Sequence, residues 1–264
     1  MLEIKNLTKT FNAGTINEKV ALDNLSLTLE DGDFVTVIGG NGAGKSTLLN
    51  AISGVWKPDS GQIIVDGVNL SRMPEYKRAK FLGRVFQDPM MGTAADMEIQ
   101  ENLAIAKRRG KVRGFKWGIS KKEKAEYVKL LAQLELGLET RLSAKVGLLS
   151  GGQRQAVTLL MASMNKPKIL LLDEHTAALD PKTAEKVLKI TDKIVTENKL
   201  TTVMITHNMA DALSHGNRLI MMHQGKIIVD VKGEEKKQLT VSDLLELFTK
   251  ASGAQFASDR ALLS

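Results

Sequence analysis

The 264-residue chain contains no cysteine, which excludes a disulfide framework, a cysteine-ligated zinc site and a thiolate nucleophile. That fits a reducing compartment. No run reaches the 18 or so apolar residues of a membrane span, and the stretch Met1-Leu2-Glu3-Ile4-Lys5 is charged where a secretory signal has its apolar core. The expectation is a chain that neither crosses a membrane nor carries an export address, so that any membrane role comes through a partner. Aromatic residues are scarce at 4%, and eleven methionines take up apolar positions, a packing role suited to a flexible thioether. Hydrophobic and charged fractions of 43% and 25% are those of an ordinary globular protein, and the length accommodates one α/β core plus a subdomain.

The net charge of +7 is local rather than general. Between residues 107 and 124 nine basic side chains (Lys107, Arg108, Arg109, Lys111, Arg113, Lys116, Lys121, Lys122, Lys124) face one acid, Glu123. The remainder of the chain is close to neutral. Such a patch suits nucleic acid, anionic lipid or a solvated face.

Residues 2–7 alternate with period two, as a half-buried strand does, and residues 21–29 repeat the pattern beyond a turn at Asn12-Ala13-Gly14. Residues 34–38 are a short apolar run, and residues 63–65 and 83–86 read as further strands. From about residue 98 to 164 the spacing turns helical with many charges, which marks an inserted helical subdomain. Residues 169–172 are apolar on both faces, the mark of a strand covered on both sides. Residues 182–197 and 209–214 read as helices and residues 202–205 as a strand. Residues 219–222 and 227–229 flank the turn Gln224-Gly225. Thr240 opens a last amphipathic helix, and the final dozen residues are expected to fray.

Chemistry enters at Gly39-Gly40-Asn41-Gly42-Ala43-Gly44-Lys45-Ser46-Thr47, a complete G-x-x-x-x-G-K-[ST] loop between an apolar strand and a helix. Its glycines let backbone N–H groups wrap phosphates at a helix N-terminus, Lys45 reaches the β- and γ-phosphates, and the Ser46 hydroxyl ligates Mg²⁺. Ile169-Leu170-Leu171-Leu172-Asp173-Glu174 supplies the second half of such a site. Asp173 ends a buried strand beside the metal, and Glu174 is placed to polarise an attacking water. The bland alternative is a strand followed by a solvated acidic turn.

These residues resemble the ATP-binding-cassette (ABC) ATPase family over nearly the whole chain. The most specific element is Leu149-Ser150-Gly151-Gly152-Gln153, before a helix and about twenty residues ahead of Asp173. In that family this loop reaches across a head-to-tail dimer to the γ-phosphate of ATP held by the other subunit. By position the resemblance assigns Gln87 to Mg²⁺ or the lytic water, Ala178-Leu179-Asp180 to a dimer-facing loop, and His207 to the γ-phosphate. A surface or packed ring is the alternative for any one histidine, and is preferred for His215 and His223. Phe11 falls where the family stacks an aromatic on adenine, with apolar packing as its alternative. Only the resemblance separates ATP from GTP. One departure stands out: His175 follows Glu174 where most members carry proline, either tuning the carboxylates or replacing proline in a turn.

The resemblance implies an α/β fold: a P-loop NTPase core of ABC type with an N-terminal antiparallel β subdomain and an inserted α-helical subdomain. One domain spans 1–264, with 1–97 and 165–264 as the RecA-like core and 98–164 as the helical part. It implies an ATPase using ATP and Mg²⁺ that pairs with a second copy or a homologous subunit and drives a separate transmembrane permease. An extracytoplasmic solute-binding protein and a place on the cytoplasmic face of the membrane follow from an importer role for a small solute such as an amino acid. A soluble relative acting on nucleic acid or the ribosome is the rival reading. One cassette, no coiled-coil span and no cysteine argue against it, so no nucleic acid is expected. A phosphate-loop kinase would leave the Ser150 loop unexplained. The basic segment falls in the part that docks the permease in relatives, so contact with permease or inner-leaflet lipid is expected there.

Overall fold

Apolar residues at alternate positions of two strands place Leu2 and Ile4 opposite Leu29 and Leu27, and this pairing founds the smaller of the two sheets among the described residues. The computed structural model describes residues 1–111 and 118–252. Arg113 and Lys116 of the basic segment and the last dozen residues lie outside the described residues.

The strands are β1 (Leu2–Phe11), β2 (Lys19–Leu29), β3 (Phe34–Ile38), β4 (Ser60–Val65), β5 (Val68–Asn69), β6 (Leu82–Val85), β7 (Ile169–Asp173), β8 (Thr202–Ile205), β9 (Arg218–His223) and β10 (Lys226–Lys232). The helices are α1 (Lys45–Ser53), α2 (Glu75–Arg78), α3 (Ile99–Lys107), α4 (Lys121–Ala132), α5 (Gly151–Ser163), α6 (Pro181–Asn198), α7 (Met209–Ser214), α8 (Glu234–Gln238) and α9 (Val241–Ser252). The antiparallel sheet has the order β2-β1-β4-β5, and the larger sheet runs β10-β9-β3-β8-β7-β6. In the larger sheet β9, β3, β8, β7 and β6 are mutually parallel, with β10 antiparallel at the edge.

β1 extends to Phe11, four residues past the end of the simple alternation. Asn6 has φ +49°, and the register with β2 shifts after Ile4, Leu7 and Lys9, so the period-two signal breaks while pairing continues. Β7 and β8, whose apolar residues face both ways, are buried along almost their whole length. One core lies between the two sheets and α1, with Leu2, Ile63, Val37, Leu48 and Ile205 in it. A second joins the far face of the large sheet to α3, α4, α5 and α6 through Val85, Leu172, Leu103, Tyr127, Val157 and Ile194. The helical segment thus shares its apolar core with the sheet.

Candidate active site

Four connections leave the carboxyl ends of neighbouring parallel strands, the usual place for a ligand in an open α/β sheet. Β3 runs into the phosphate loop, β7 into Glu174, β8 into Thr206-His207, and β6 into Phe86-Gln87. The loop after β3 turns into α1 at Gly44, with φ +103°. A Cβ built there would lie 2.4 Å from the carbonyl oxygen of Ala21, so neither the backbone conformation nor the space admits a larger residue.

Lys45, the first residue of α1, is nearly fully buried. Its Nζ donates to the Gly39 carbonyl at 2.6 Å and the Gly40 carbonyl at 3.2 Å, folding back over the loop. Burial lowers its pKa, against the opposing pull of the Glu174 and Asp173 charges. A cavity of about 260 Å³ opens here, lined by Phe11, Lys19, Ala21, residues 41–47, Glu174 and His207. The expected aromatic, phosphate loop, carboxylate and histidine therefore share one cavity.

Glu174 adopts φ +46°, a left-handed conformation that is strained for a residue with a side chain. Its N–H donates to the Ile205 carbonyl at 3.1 Å, which ties the turn after β7 to the end of β8. Its Oε1 lies 2.6 Å from His207 Nε2. Asp173 sits behind, only 15% exposed, and its Oδ2 accepts from the Arg84 guanidinium at 3.1 Å. Arg84 also donates to Ser53 Oγ at 3.0 Å and lies 4.6 Å over the Phe86 ring. Sequence reasoning missed Arg84, because a single arginine in a strand carries no spacing signal.

Other residues singled out in the sequence lie away from the cavity. Gln87 is exposed just past β6. Asp180 caps α6, accepting from the Thr183 N–H at 3.1 Å. Ser150 is exposed at the start of α5 and forms a capping box with Gln153: its Oγ accepts from the Gln153 N–H while the Gln153 side chain accepts from its own N–H. Gly152 packs against α6 so closely that a Cβ would meet Thr183 Cγ2 at 2.1 Å. Arg154 donates to the carbonyls of Val146 and Gly147 and so braces the turn ahead of the loop. Gln155, fully buried, donates to the Phe86 carbonyl at 3.2 Å, one residue before Gln87.

Phe11 meets Trp56 edge to face with ring centroids 5.3 Å apart and still lines the cavity. His175 is buried, and its Nε2 lies 3.0 Å from Thr191 Oγ1 on α6. That hydroxyl donates its one proton to the Val187 carbonyl at 2.9 Å, so His175 must be the donor to it and is held as the Nε2–H tautomer. Burial, with His215 nearby, pushes the His175 pKa down to about 4. His215 bonds Asp192 at 2.7 Å, and His223 stacks edge-on against Phe248 at 5.7 Å.

The basic segment is less free than its composition implies. Lys107 pairs with Glu126, Arg108 with Glu123 at 3.0 Å, and Arg109 reaches the Ala162 carbonyl at 3.1 Å at the end of α5. Three of its cations brace the helical segment, while Lys111, Lys121, Lys122 and Lys124 stay exposed.

Residues 22–177 match the family model for the ABC transporter. The chain is 49% identical over 251 residues to the tyrosine transport ATP-binding protein of Clostridioides difficile, covering 95% of this chain and 100% of that one. It is 35% identical over 234 residues to the energy-coupling factor transporter ATP-binding protein EcfA2 of Clostridium perfringens, covering 88% and 79%. Among solved structures it superposes on the ADP conformation of the cassette MJ1267 with a TM-score of 0.77, 29% identity and coverage of 94% and 98%. It also superposes on the dimeric post-hydrolysis state of MJ0796 bound to ADP and Pi, with a TM-score of 0.72, 32% identity and coverage of 88% and 98%. The chain belongs to the ABC transporter family as its ATP-binding subunit, an ATPase.

Proposed function

We propose that this subunit powers a bacterial importer of a small solute such as an amino acid, working as a head-to-tail pair with a second copy or a homologous subunit. The observation that carries the catalytic part is the Glu174–His207 pair facing the phosphate-loop cavity. Residues 41–47 cradle the triphosphate, with Phe11 against the adenine and Lys45 released from the Gly39 and Gly40 carbonyls onto the β- and γ-phosphates. Glu174 orients the attacking water and accepts its proton, while His207, whose Nε2 holds the carboxylate in the nucleotide-free site, turns that N–H to the γ-phosphate when ATP is bound. Ser150, Gly151, Gly152 and Gln153 face the γ-phosphate bound by the partner, with Asp180 at the same interface. Their position at an exposed helix start, outside the chain's own cavity, supports that role.

For Mg²⁺ the donors fit. Ser46 supplies a hydroxyl in the cavity, Asp173 would supply a carboxylate from the end of β7, and Gln87, outside the cavity just past β6, would supply an amide oxygen, all hard ligands of the kind this ion takes alongside phosphate oxygens. Among the described residues no group of three or more His, Cys, Asp or Glu could hold an ion by itself, in keeping with a metal that arrives with the nucleotide. When bound it neutralises charge on the phosphates.

We assign residues 1–97 and 165–264 to the core with its β subdomain and 98–164 to the helical subdomain that meets the permease. Among the described residues no helix is long and apolar enough to cross a membrane, so attachment to the cytoplasmic face would run through the permease, with a solute-binding protein outside. The name of the Clostridioides difficile relative, a tyrosine transport protein, supports an amino-acid cargo. The test is uptake of labelled tyrosine and other amino acids by cells lacking this chain. The wild-type chain should restore uptake and Lys45→Ala should not. A wild-type chain that hydrolyses ATP yet restores no amino-acid uptake would remove the cargo assignment.

A further inference from the structure

Lys19 begins β2 as the cross-strand partner of Phe11, and both side chains line the nucleotide cavity. The antiparallel pair thus sets a ring and an ammonium side by side, opposite the phosphate loop. A Cβ built on Gly42 would lie 2.8 Å from Lys19 Nζ, so the ammonium rests directly over the backbone of the loop. Gly42 itself has φ +77°, which turns its peptide groups without a side chain in the way.

The other charges around Lys19 are committed. Lys45 is tied to the Gly39 and Gly40 carbonyls, and Glu174 to His207. A second cavity, about 560 Å³, lies on the other side of Lys19 and contains two carboxylates, Glu18 and Asp23. Both are engaged: Glu18 accepts from the Gly14 N–H at 2.6 Å and Asp23 pairs with Lys226 at 3.0 Å. Among the described residues the Lys19 side chain has neither a hydrogen-bond nor an ion-pair partner. An unpaired ammonium resting on the backbone of the phosphate loop favours an anionic ligand and gives up no existing bond to bind it.

We propose that Lys19 is a second phosphate-binding cation of this site, supplied by β2, which contacts the polyphosphate chain of a bound nucleotide between Phe11 and the phosphate loop. Lys45 closes on the phosphates from the helix side and Lys19 from the sheet side. The inference rests on the reading of the cavity as the nucleotide site.

ADP separates the two claims, because binding it requires neither hydrolysis nor a partner loop. The experiment measures the affinity of the full chain for ADP, and for adenosine by competition, in the wild type, Lys19→Ala, Lys19→Glu and Lys19→Arg. Lys19→Ala should weaken ADP about five- to tenfold at low salt, the scale of one charge-assisted contact at a part-exposed site. Lys19→Glu should weaken it further, Lys19→Arg should stay within about twofold of the wild type, and adenosine should bind all four alike. ADP affinity unchanged in Lys19→Ala overturns the proposal, as does an equal loss for ADP and adenosine, which would make Lys19 a packing partner of the base. A wild-type chain that fails to bind ADP would refute the cavity assignment itself.

Discussion

His207 Nε2 lies 2.6 Å from Glu174 Oε1, and the two residues stand at the ends of adjacent parallel strands. Each strand contributes one half of the pair, and the Glu174 N–H bond to the Ile205 carbonyl fixes their separation. The left-handed backbone at Glu174 turns the carboxylate off the line of β7 toward the histidine. Replacing His207 by alanine should therefore release the carboxylate without disturbing the phosphate loop. Turnover should fall by about a hundredfold or more, while ADP affinity stays near the wild-type value. Steady-state phosphate release and a binding titration check the two halves.

Ser150 caps α5 and, in the proposed function, also meets the partner's γ-phosphate. As the cap of α5 it accepts from the Gln153 N–H, so Ser150→Ala should cost about 1 kcal/mol of stability, read as a shifted denaturation midpoint. As a contact to the partner's γ-phosphate it should also weaken ATP-dependent dimer formation. Ser150→Thr keeps the hydroxyl and should recover most of the stability. Unchanged dimerisation by Ser150→Ala in size-exclusion chromatography would restrict the residue to its capping role.

His175 gives the fold a pH-dependent term. Its pKa is about 4 in the folded chain against 6.5 for an ordinary histidine, because burial disfavours the charged ring. His215 beyond α7 adds to that depression, and Asp192 of α6 opposes it. Below pH 6.5 the unfolded chain takes up a proton that the folded one refuses, so this stabilisation is present above pH 6.5 and lost as pH falls toward 4. The slope is about 1.4 kcal/mol per pH unit within that window. His175→Asn should show a shallower loss of stability between pH 6.5 and 4 than the wild type in parallel urea titrations. Equal slopes would contradict the buried neutral ring.

Arg84 is the counter-ion of Asp173, and the two side chains are only 13% and 15% exposed. Arg84→Leu leaves a largely buried carboxylate unpaired and should destabilise the fold by about 2 kcal/mol or more. Removing both partners, in Arg84→Leu with Asp173→Asn, should restore part of that loss. A thermal-melting double-mutant cycle reads the coupling.

Much of this was legible from residues alone. The phosphate loop and the run ending at Asp173-Glu174 each declare their strand, and the two strands flank β8 in the larger sheet. His207 stands two residues past the end of β8, where it pairs with Glu174. What escaped were relations between segments distant in sequence. Arg84 reaches Asp173 only because β6 and β7 pair in register, and Lys19 reaches the loop only because β1 carries its pairing on to Phe11 through three register shifts. His175 read as a turn residue or a tuning group, and the contact that defines it, to Thr191, lies nearly three turns into α6. The basic run read as an open patch because composition does not reveal that Arg109 turns inward to the end of α5.

In the proposed function Glu174 activates water at a nucleotide site completed by the Ser150 loop of a second subunit. The Glu174→Gln variant keeps the side chain's shape and its reach to His207 but removes the base. Light scattering with ATP and Mg²⁺, run beside a phosphate-release assay on the same sample, measures pairing and turnover together. Glu174→Gln should form a stable ATP-dependent dimer whose turnover is at least about a hundredfold below the wild type. Turnover at the wild-type rate, or a chain that binds ATP and stays monomeric, would contradict it.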